Sequence, residues 1–373
     1  MASTVGTLAD WMPRLVAAWR NRDDASPLDE REKQQILDGI ATLSAGLTRT
    51  RELVGDRYLD EPRLLGAYLL FYWPVSYAQA RSVLGELGRK PGRVLDVGAG
   101  PAPLAFAAHD AGATRLVALD RSRPALAVAA RLAAAHGIAL ETIPWVPKDP
   151  LPEGPFDTIV VGHLLNELPA AEAEALCNAL LDRLAPNGDL VLIEPALRET
   201  SRRLLGLRDR LVAGGIVVKA PCLFRGGCPA LVRESDWCHA ERPLVAPQLV
   251  AELARAAALH RDSVKMTYLI LAAPGSSWPG PATGPVFRMV SEQLPEKGKT
   301  RLFGCGPDGR LPLVLPDKRV SDDTRAFLSL RRGDLFSTND LVQKGDGQQL
   351  SAASRVEILA LAGQPPRGRS SSS

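Results

Sequence analysis

The sequence predicts an α/β protein built around a doubly wound sheet, with a helical region before it and a small β unit after it. Three observations indicate this class. Short apolar runs alternate with Ala- and Leu-rich segments from residue 93 onward, as in parallel sheets that are covered on both faces. Apolar residues before that point recur at helical spacing. A Pro/Gly/Ser-rich stretch, residues 274–285, precedes a last group of strand-like runs.

The N-terminal region, residues 1–90, is predicted to be helical. Ile36, Ile40, Leu43 and Leu47 recur every three or four residues, which indicates a helix with one buried face. The apolar, aromatic stretch AYLLFYWPVSYAQARSVLGEL follows, and Pro74 within it is expected at a bend or a helix start. We expect these aromatic side chains to pack as core against the next domain.

The central domain is predicted to span residues 91–273. Its buried strands are RVLDVGAG, TRLVALD, FDTIVVGHLL, GDLVLIEP and, later, SVKMTYLILAA. The helices between them are PLAFAAHDAG, RPALAVAARLAAAHG and AAEAEALCNALLDRLAPNG, and each is expected to end at its glycine. A Cys-rich insert is placed at about residues 220–262, before the last strand.

The C-terminal part is predicted to contain a small β unit, residues 286–340, and a flexible tail, residues 341–373. The strand-like runs of the unit are VFRMVSEQL, TRLFGCG, LPLVLP and AFLSLRRGDLF. From residue 288 onward 14 Lys and Arg stand against 10 Asp and Glu. This excess indicates an RNA-facing surface no more strongly than an ordinary solvated one. The candidate phosphate contacts are Arg288, Lys297, Lys299, Arg301, Arg331 and Arg332.

Composition and the N-terminal sequence limit where the protein works. The chain is 46% hydrophobic and 23% charged, which is typical of a soluble globular protein. It contains no long apolar run, and its first residues lack the pattern of a secretory signal. We therefore expect a cytoplasmic monomer with no membrane contact, in which cysteines stay reduced. The formal net charge of +3 is too small to indicate nucleic-acid binding by itself.

The stretch RVLDVGAGPAP carries the strongest binding motif. A strand is predicted to end at Asp96 and to lead through Gly98 and Gly100 into a helix. Glycines there let the backbone turn sharply and approach a nucleotide-like ligand closely. Asp120 ends the next strand, where a carboxylate can accept hydrogen bonds from ribose hydroxyls.

The D-x-G-x-G pattern resembles motif I of the class I methyltransferases. That resemblance implies S-adenosylmethionine as cofactor, with Gly98 and Gly100 beside its methionine and ribose portions and Asp120 on the ribose hydroxyls. Asp96 belongs to the same cofactor motif. Where many members have a third glycine, this chain has Ala102, and its methyl group is expected to narrow the approach to the cofactor.

Candidate catalytic groups follow a later strand, in GHLLNELP. His163, Asn166 and Glu167 are the polar residues at its carboxyl end, where ligands sit in open α/β sheets. The alternative is that Asn166 and Glu167 only start the next helix. The Asn/Asp-Pro-Pro-Tyr motif of many N-methyltransferases is not found here, and no residue of this stretch is a clear catalyst.

Four of the five cysteines form a possible metal site. Cys222, Cys228 and Cys238 have the spacing C-x₅-C-x₉-C, and Cys305 in LFGCGPDG, expected in a turn, supplies a fourth thiol. Four thiolates can hold zinc or an iron-sulfur cluster, and the spacing does not choose between them. The alternative is that they are small, buried, reduced residues. Cys177, on a predicted helix, is interpreted as core.

These motifs together resemble the methyltransferase-like proteins of the small ribosomal subunit, which occur in bacteria and mitochondria. The resemblance runs from about Tyr68 to Asp334 and rests on DVGAGP, LNELP, PC-x₅-CP, DWCH and the late isolated cysteine. It implies that Cys222, Cys228, Cys238 and Cys305 ligate a 4Fe-4S cluster, with zinc as the alternative. Departures lie beside the thiols, at Leu223, Phe224 and Ala240.

Two functions follow from the resemblance, and they belong to different classes. The first is a methyltransferase that uses S-adenosylmethionine to modify rRNA of the small ribosomal subunit. The second is a non-catalytic iron-sulfur assembly factor that keeps the methyltransferase fold; a redox sensor is a third, weaker alternative. Since three cysteines precede the 274–285 stretch and Cys305 follows it, the cluster is predicted to join the central domain to the β unit.

Overall fold

The computed structural model describes residues 7–278 and 285–366. Its α-helices are α1 Leu8–Arg20, α2 Glu30–Ser44, α3 Pro62–Ala67, α4 Trp73–Gly85, α5 Pro103–Asp110, α6 Arg123–Ala135, α7 Ala170–Leu181, α8 Arg198–Ala213 and α9 Gln248–Ala256. The strands of the central sheet are β1 Arg93–Val97, β2 Arg115–Asp120, β3 Leu140–Pro144, β4 Phe156–Gly162, β5 Leu184–Pro195, β6 Val218–Ala220, β7 Ala240–Pro243 and β8 Ser263–Ala272. None of the helices in the described ranges has the length and apolar composition that a membrane-spanning helix needs.

The central sheet has the order β3-β2-β1-β4-β5-β8-β6, with β7 paired to the first half of β8. Strands β1 to β5 are parallel, and β8 runs antiparallel to β5. The order reverses between β1 and β4, so a crevice opens at their carboxyl ends. This topology confirms the predicted doubly wound α/β class.

Helices cover both faces of the sheet. Helices α1 to α6 and α9 contribute to one apolar core, and α7 and α8 to the other. Trp73 shows how the N-terminal helices attach: its ring centroid lies 5.4 Å from that of Trp11, and its Nε1 donates to the Pro101 carbonyl oxygen at 3.0 Å. The aromatic stretch is thus partly core, as expected. Tyr68 and Tyr72, however, line a cavity.

Two details of the central domain differ from the prediction. Helix α7 ends at Leu181, and Asn187 and Gly188 lie inside β5, where a side chain at position 188 would meet the Phe156 carbonyl oxygen at 2.9 Å. The glycine therefore serves strand packing and does not end the helix. Strand β3 was missed because it is a partly exposed edge strand, without the continuous apolar run of its neighbours.

The C-terminal part forms a second sheet. Its strands are β9 Val286–Met289, β10 Leu294–Glu296, β11 Lys299–Gly306, β12 Gly309–Pro316, β13 Leu335–Thr338, β14 Leu341–Lys344, β15 Gly347–Leu350 and β16 Val356–Ala360. Their order is β14-β15-β12-β11-β9-β13-β16, with β10 on β11.

Two predictions about this part were wrong. The tail predicted at 341–373 instead supplies β14 to β16 up to residue 360, because Leu350 and Val356 bury their side chains in the core of the second sheet; residues 367–373 lie outside the described part. The stretch AFLSLRRGDLF is a 3₁₀ turn, Arg325–Ser329, followed by a loop into β13.

A buried carboxylate, Glu86, joins the two sheets. Its Oε1 accepts from Tyr268 Oη on β8 at 2.7 Å and from Arg242 Nη2 on β7 at 3.2 Å. Its Oε2 lies 3.3 Å from Arg288 Nη1 on β9. The chain beyond β16 also returns here, since the Gly363 amide donates to Glu86 Oε1 at 3.2 Å. The second sheet is therefore attached to the body near its first and last strands.

Candidate functional site

A cavity of about 1100 Å³ opens at the carboxyl ends of β1, β2 and β4. Its floor includes Gly98, Gly100 and Asp120, and the N-terminal helical region and the start of β8 form its walls. This is the crevice that the reversal of strand order creates. The cavity and the predicted cofactor loop therefore coincide.

The loop after β1 needs its two glycines. Gly98 and Gly100 have left-handed φ angles of 74° and 54°. A Cβ at Gly98 would come within 3.0 Å of Leu164, and one at Gly100 within 3.2 Å of Leu59. Both conformation and space thus exclude larger residues.

Ala102 does not narrow the cavity, contrary to expectation. It is fully buried, belongs to the apolar core and is not among the residues that line the cavity. Its φ of 58° is left-handed and places it just before α5, so its methyl group turns into the protein. The conformation expected of a third glycine is present, and the side chain fills core space.

The two acidic residues of the cofactor motif have different positions. Asp120 lines the cavity; its Oδ2 accepts from the Gly100 amide and its Oδ1 from the Ser122 amide, both at 2.7 Å. Each oxygen keeps a lone pair for a ligand hydroxyl. Asp96 is buried behind the loop, where its Oδ2 accepts from Ala105 N at 2.9 Å. Burial raises the pKa of Asp96 to about 8. Asp96 therefore holds α5 against β1 and does not line the cavity.

Residues 51–59, which we call the cover segment, close one side of the cavity. Arg121, directly after β2, donates to the Gly55 carbonyl oxygen at 2.7 Å and to the Asp56 carbonyl oxygen at 2.5 Å. Arg51 Nη2 donates to Asn166 Oδ1 at 3.2 Å. Side chains at the strand ends thus hold the segment over the crevice, a contact that sequence spacing did not suggest.

Asn166 and Glu167 lie at the cavity in a 3₁₀ turn before α7, and both hold structure in place. Asn166 Nδ2 donates to the His163 carbonyl oxygen at 2.7 Å. Glu167 Oε2 accepts from Arg121 Nη2 at 3.2 Å. Burial raises the pKa of Glu167 to about 7, and Arg121 opposes that rise. Both candidates thus contact groups that hold the cover segment.

His163 also lines the cavity but is tied to α4. Gln79 Nε2 donates to the Lys265 carbonyl oxygen at 2.9 Å, which leaves Gln79 Oε1 as an acceptor 3.0 Å from His163 Nε2. His163 must therefore carry its proton on Nε2. Burial lowers the pKa of His163 to about 4, and its Nδ1 is buried without a hydrogen-bond partner. The imidazole is therefore neutral at neutral pH, with Nε2 bonded to Gln79 and Nδ1 shielded from solvent.

The four predicted cysteines are neighbours, although they come from both sides of residues 274–285. Burial raises the pKa of Cys305, and the thiols of Cys222, Cys238 and Cys228 raise it further. Burial likewise raises the pKa of Cys228 to about 11 and that of Cys238 to about 12. Cys305 lies in β11 and not in the expected turn. Cys177 is fully buried, as predicted for a core residue.

Cationic side chains surround this group of thiols. Arg208 on α8 is buried and donates to the carbonyl oxygens of Phe224 and Gly226, which shapes the loop between Cys222 and Cys228. It also donates to Cys222 and opposes the rise in pKa that burial causes there. Among the described residues, no three or more His, Cys, Asp or Glu side chains are arranged to hold a metal ion.

The predicted phosphate contacts comprise one buried residue, three half-buried residues that form ion pairs, and two exposed residues. Arg288 is 9% exposed and pairs with Glu86, so its prediction as a phosphate contact was wrong. Arg332 pairs with Glu292 at 2.9 Å. Lys299 and Arg301 both pair with Glu296, whereas Lys297 and Arg331 are exposed.

The sheet order, with its one antiparallel strand, and the glycine loop followed by an acid at the end of β2 define a class I methyltransferase-like protein. Within that class, the chain belongs to the family described as mitochondrial small ribosomal subunit Rsm22, which matches residues 64–349. The match includes the glycine loop, all four clustered cysteines and most of the second sheet.

Comparison with solved structures gives methyltransferases of low sequence identity. The mitomycin 7-O-methyltransferase is 17% identical, with 72% of this chain and 73% of that chain covered and a TM-score of 0.39. For the magnesium protoporphyrin IX methyltransferase of Synechocystis PCC 6803 these values are 18%, 66%, 98% and 0.36. For the N-methyltransferase NodS of Bradyrhizobium japonicum WM9 they are 14%, 63%, 98% and 0.36. No curated protein sequence gave a significant match.

Proposed function

We propose that this protein binds S-adenosylmethionine in the cavity and methylates rRNA of the small ribosomal subunit. The observation that carries the proposal is the placement of Gly98, Gly100 and Asp120 on the floor of a cavity of about 1100 Å³. The bound cofactor supplies an electrophilic methyl group. The two glycines leave room for it, and Asp120 has free lone pairs for its ribose hydroxyls. Membership of a small-subunit family supports the choice of partner.

Calorimetry with S-adenosylhomocysteine tests the cofactor half of this proposal. We expect one binding site per chain, and Asp120→Asn should weaken binding because one oxygen acceptor becomes a donor. Transfer of labelled methyl groups from S-adenosylmethionine to purified small subunits tests the other half. Absence of cofactor binding in the intact protein would refute the whole proposal.

A second candidate, a non-catalytic assembly factor, is favoured by the engagement of the polar candidates. Asn166 and Glu167 bond to groups that hold the cover segment, and both nitrogens of His163 are buried or bonded. None of these side chains offers a free basic group that could take a proton from the nucleotide to be methylated. Tight association with small subunits, together with cofactor binding but no methyl transfer, would favour this candidate.

We further propose that Cys222, Cys228, Cys238 and Cys305 ligate a 4Fe-4S cluster, with zinc as the alternative. Four neighbouring thiols supply the donor chemistry for either, and their side chains would have to turn toward one centre to ligate it. The cationic surroundings, Arg208 above all, favour a site that carries negative charge. Anaerobic purification followed by visible absorbance and by iron and zinc analysis separates the two metals.

The cluster would link the central domain to the second sheet, because Cys305 is on β11 and its partners are on the insert. An ion pair of 2.5 Å between Arg310 on β12 and Asp236 supports this junction. Cys305→Ser should lower both metal content and thermal stability. Cys177→Ala is the matched control, since it removes a buried core thiol that is not part of the group of four and should keep the metal. Unchanged metal in Cys305→Ser would contradict the assignment.

We also propose that the protein is a cytoplasmic monomer without membrane contact. The proposal rests on the composition, 46% hydrophobic and 23% charged, which is typical of a soluble globular protein. Light scattering of the purified protein tests the oligomeric state, and cell fractionation tests the location. A stable dimer or recovery with the membrane fraction would contradict it.

A further inference from the structure

The cavity extends beyond the cofactor loop into a second region, next to the start of β8. Here it is lined by Tyr68 and Tyr72 from a π-helical turn and by His260, Arg261 and Lys265 from the turn before β8 and its first residues. None of these residues belongs to the glycine loop. The region therefore offers room for a second ligand beside the cofactor.

Arg261 is a half-buried arginine at the cavity wall. The three buried arginines of the described chain each pair with a carboxylate: Arg208 with Asp209, and Arg242 and Arg288 with Glu86. Arg261 Nη1 donates only to the His260 carbonyl oxygen at 3.0 Å, and its Nε is buried without a partner. Within the described residues it forms no ion pair.

The surroundings of Arg261 do not replace that missing anion. Its guanidinium carbon lies 4.6 Å from the centroid of the Phe71 ring, a favourable contact that is weaker than a charged hydrogen bond. Burial lowers the pKa of Arg261, and only the Tyr72 hydroxyl opposes this. A partly buried cation at a cavity wall without a counter-ion fits an anionic ligand.

Two stacked rings stand beside this cation. The ring centroids of Tyr68 and Tyr72 are 6.1 Å apart, with 22° between their planes. Both side chains are partly exposed, and both line the cavity. An aromatic surface of this kind stacks on nucleobases without regard to their identity. The Arg261 cation and the tyrosine ring surface together select a ligand that has both a phosphate and a base.

We propose that Arg261, Tyr68 and Tyr72 form a nucleotide subsite in which Arg261 contacts a phosphate and the tyrosine rings stack on the base. The subsite deepens the proposed function and rests on it, because it receives the rRNA nucleotide that is to be modified. That nucleotide leaves its own stack to reach the cavity, as in other enzymes that act on bases. Lys265, at the exposed rim, pairs with Glu241 at 3.4 Å, so Arg261 is the cation that contacts the phosphate.

Calorimetry on the full-length protein tests the subsite without requiring methyl transfer. The probes are the four ribonucleoside 5′-monophosphates and the corresponding nucleosides. The protein is first saturated with S-adenosylhomocysteine, so that no probe enters the cofactor site. We expect monophosphates to bind more tightly than nucleosides, and Arg261→Gln to weaken monophosphate binding about 10- to 100-fold. Arg261→Lys should restore part of the loss.

Arg255→Gln is the matched control, because Arg255 is an exposed arginine on the adjacent helix α9 and does not line the cavity. It should bind every probe as the wild type does. Tyr72→Leu should weaken nucleosides and monophosphates alike, whereas Tyr72→Phe should not. Equal binding of nucleosides and monophosphates by the wild type, or no effect of Arg261→Gln, would overturn the subsite.

The outcomes also separate the subsite from the proposed function. If the wild type binds S-adenosylhomocysteine but no mononucleotide, the subsite is refuted while cofactor binding stands. If it binds mononucleotides through Arg261 but no S-adenosylhomocysteine, the proposed function fails and the anion site remains. Cofactor affinity and melting temperature of Arg261→Gln should match the wild type, which excludes misfolding as the cause of a loss.

Discussion

Replacing Glu86 by glutamine should weaken the attachment of the second sheet to the central sheet. Glu86 is the buried carboxylate that faces two arginines, and its side chain is only 4% exposed. The amide keeps the shape and can still accept from Tyr268, so the change removes charge more than volume. Arg242 and Arg288 are then left buried without an anion.

The expected cost is about 3 kcal/mol, since breaking a buried ion pair by removing one partner costs roughly 3–5 kcal/mol and the retained acceptor offsets part of it. Urea unfolding followed by circular dichroism measures this cost. We also expect the second sheet of the variant to unfold at a lower urea concentration than the central sheet. Hydrogen exchange should therefore show earlier opening of β9, which carries Arg288.

Glu292→Gln is the control for this experiment, because Glu292 pairs with Arg332 and its side chain is 64% exposed. Its cost should stay below about 1 kcal/mol. Adding Arg288→Met to Glu86→Gln should recover stability, because it removes one uncompensated charge. If Glu86→Gln stays within 1 kcal/mol of the wild type, the junction does not depend on this carboxylate and the reasoning is refuted.

Three further predictions concern the glycine loop, the buried carboxyl group of Glu194 near the end of β5, and the cover segment. Gly98→Ala should weaken S-adenosylhomocysteine binding at least about 10-fold, because its Cβ would lie 3.0 Å from Leu164; Gly137→Ala, also at positive φ but with open space, should keep wild-type affinity by calorimetry. Burial raises the pKa of Glu194 from 4.5 to about 8, so the free energy of unfolding of the wild type should fall as pH rises between these values. Glu194→Gln should remove about 3 kcal/mol of that fall between pH 5 and pH 8, as measured by urea unfolding. Equal pH dependence of the two proteins would contradict this prediction. Arg121→Ala should speed hydrogen exchange in the cover segment without changing exchange in β2, and unchanged exchange at Gly55 would show that other contacts hold the segment.

Much of the central domain could be predicted because its strands are buried on both faces and its glycines need left-handed backbone. RVLDVGAG carries both properties, so β1 and the loop with Gly98 and Gly100 followed directly from the sequence. Strand β3 carries neither, since it is a partly exposed edge strand. Ala102 was misjudged for a related reason: spacing places a residue along the loop but does not say which way its side chain turns.

The site was predicted less completely, because its contacts join residues far apart in the chain. Arg121 and Gly55 are bonded across 66 positions, and no local pattern relates them. The buried ion pair of Arg288 was missed because a count of charges does not tell a buried arginine from an exposed one. Cys305 could be proposed as a fourth thiol from its glycine-rich context, but spacing alone could not place it beside the others, since 66 residues separate it from Cys238.

The return of the chain to Glu86 at Gly363 changes how the second sheet should be regarded. If residues 274–285 were its only connection, the second sheet could change its orientation relative to the central domain, within limits set by that linker. Here Arg288, near the start of the unit, and Gly363, near its end, both contact Glu86. Residues 285–363 therefore form a closed loop whose two ends meet at one residue. A chain shortened at Asp340 would lose its last strands and also the contact between Gly363 and Glu86. The second sheet would then be attached to the central domain at one end only.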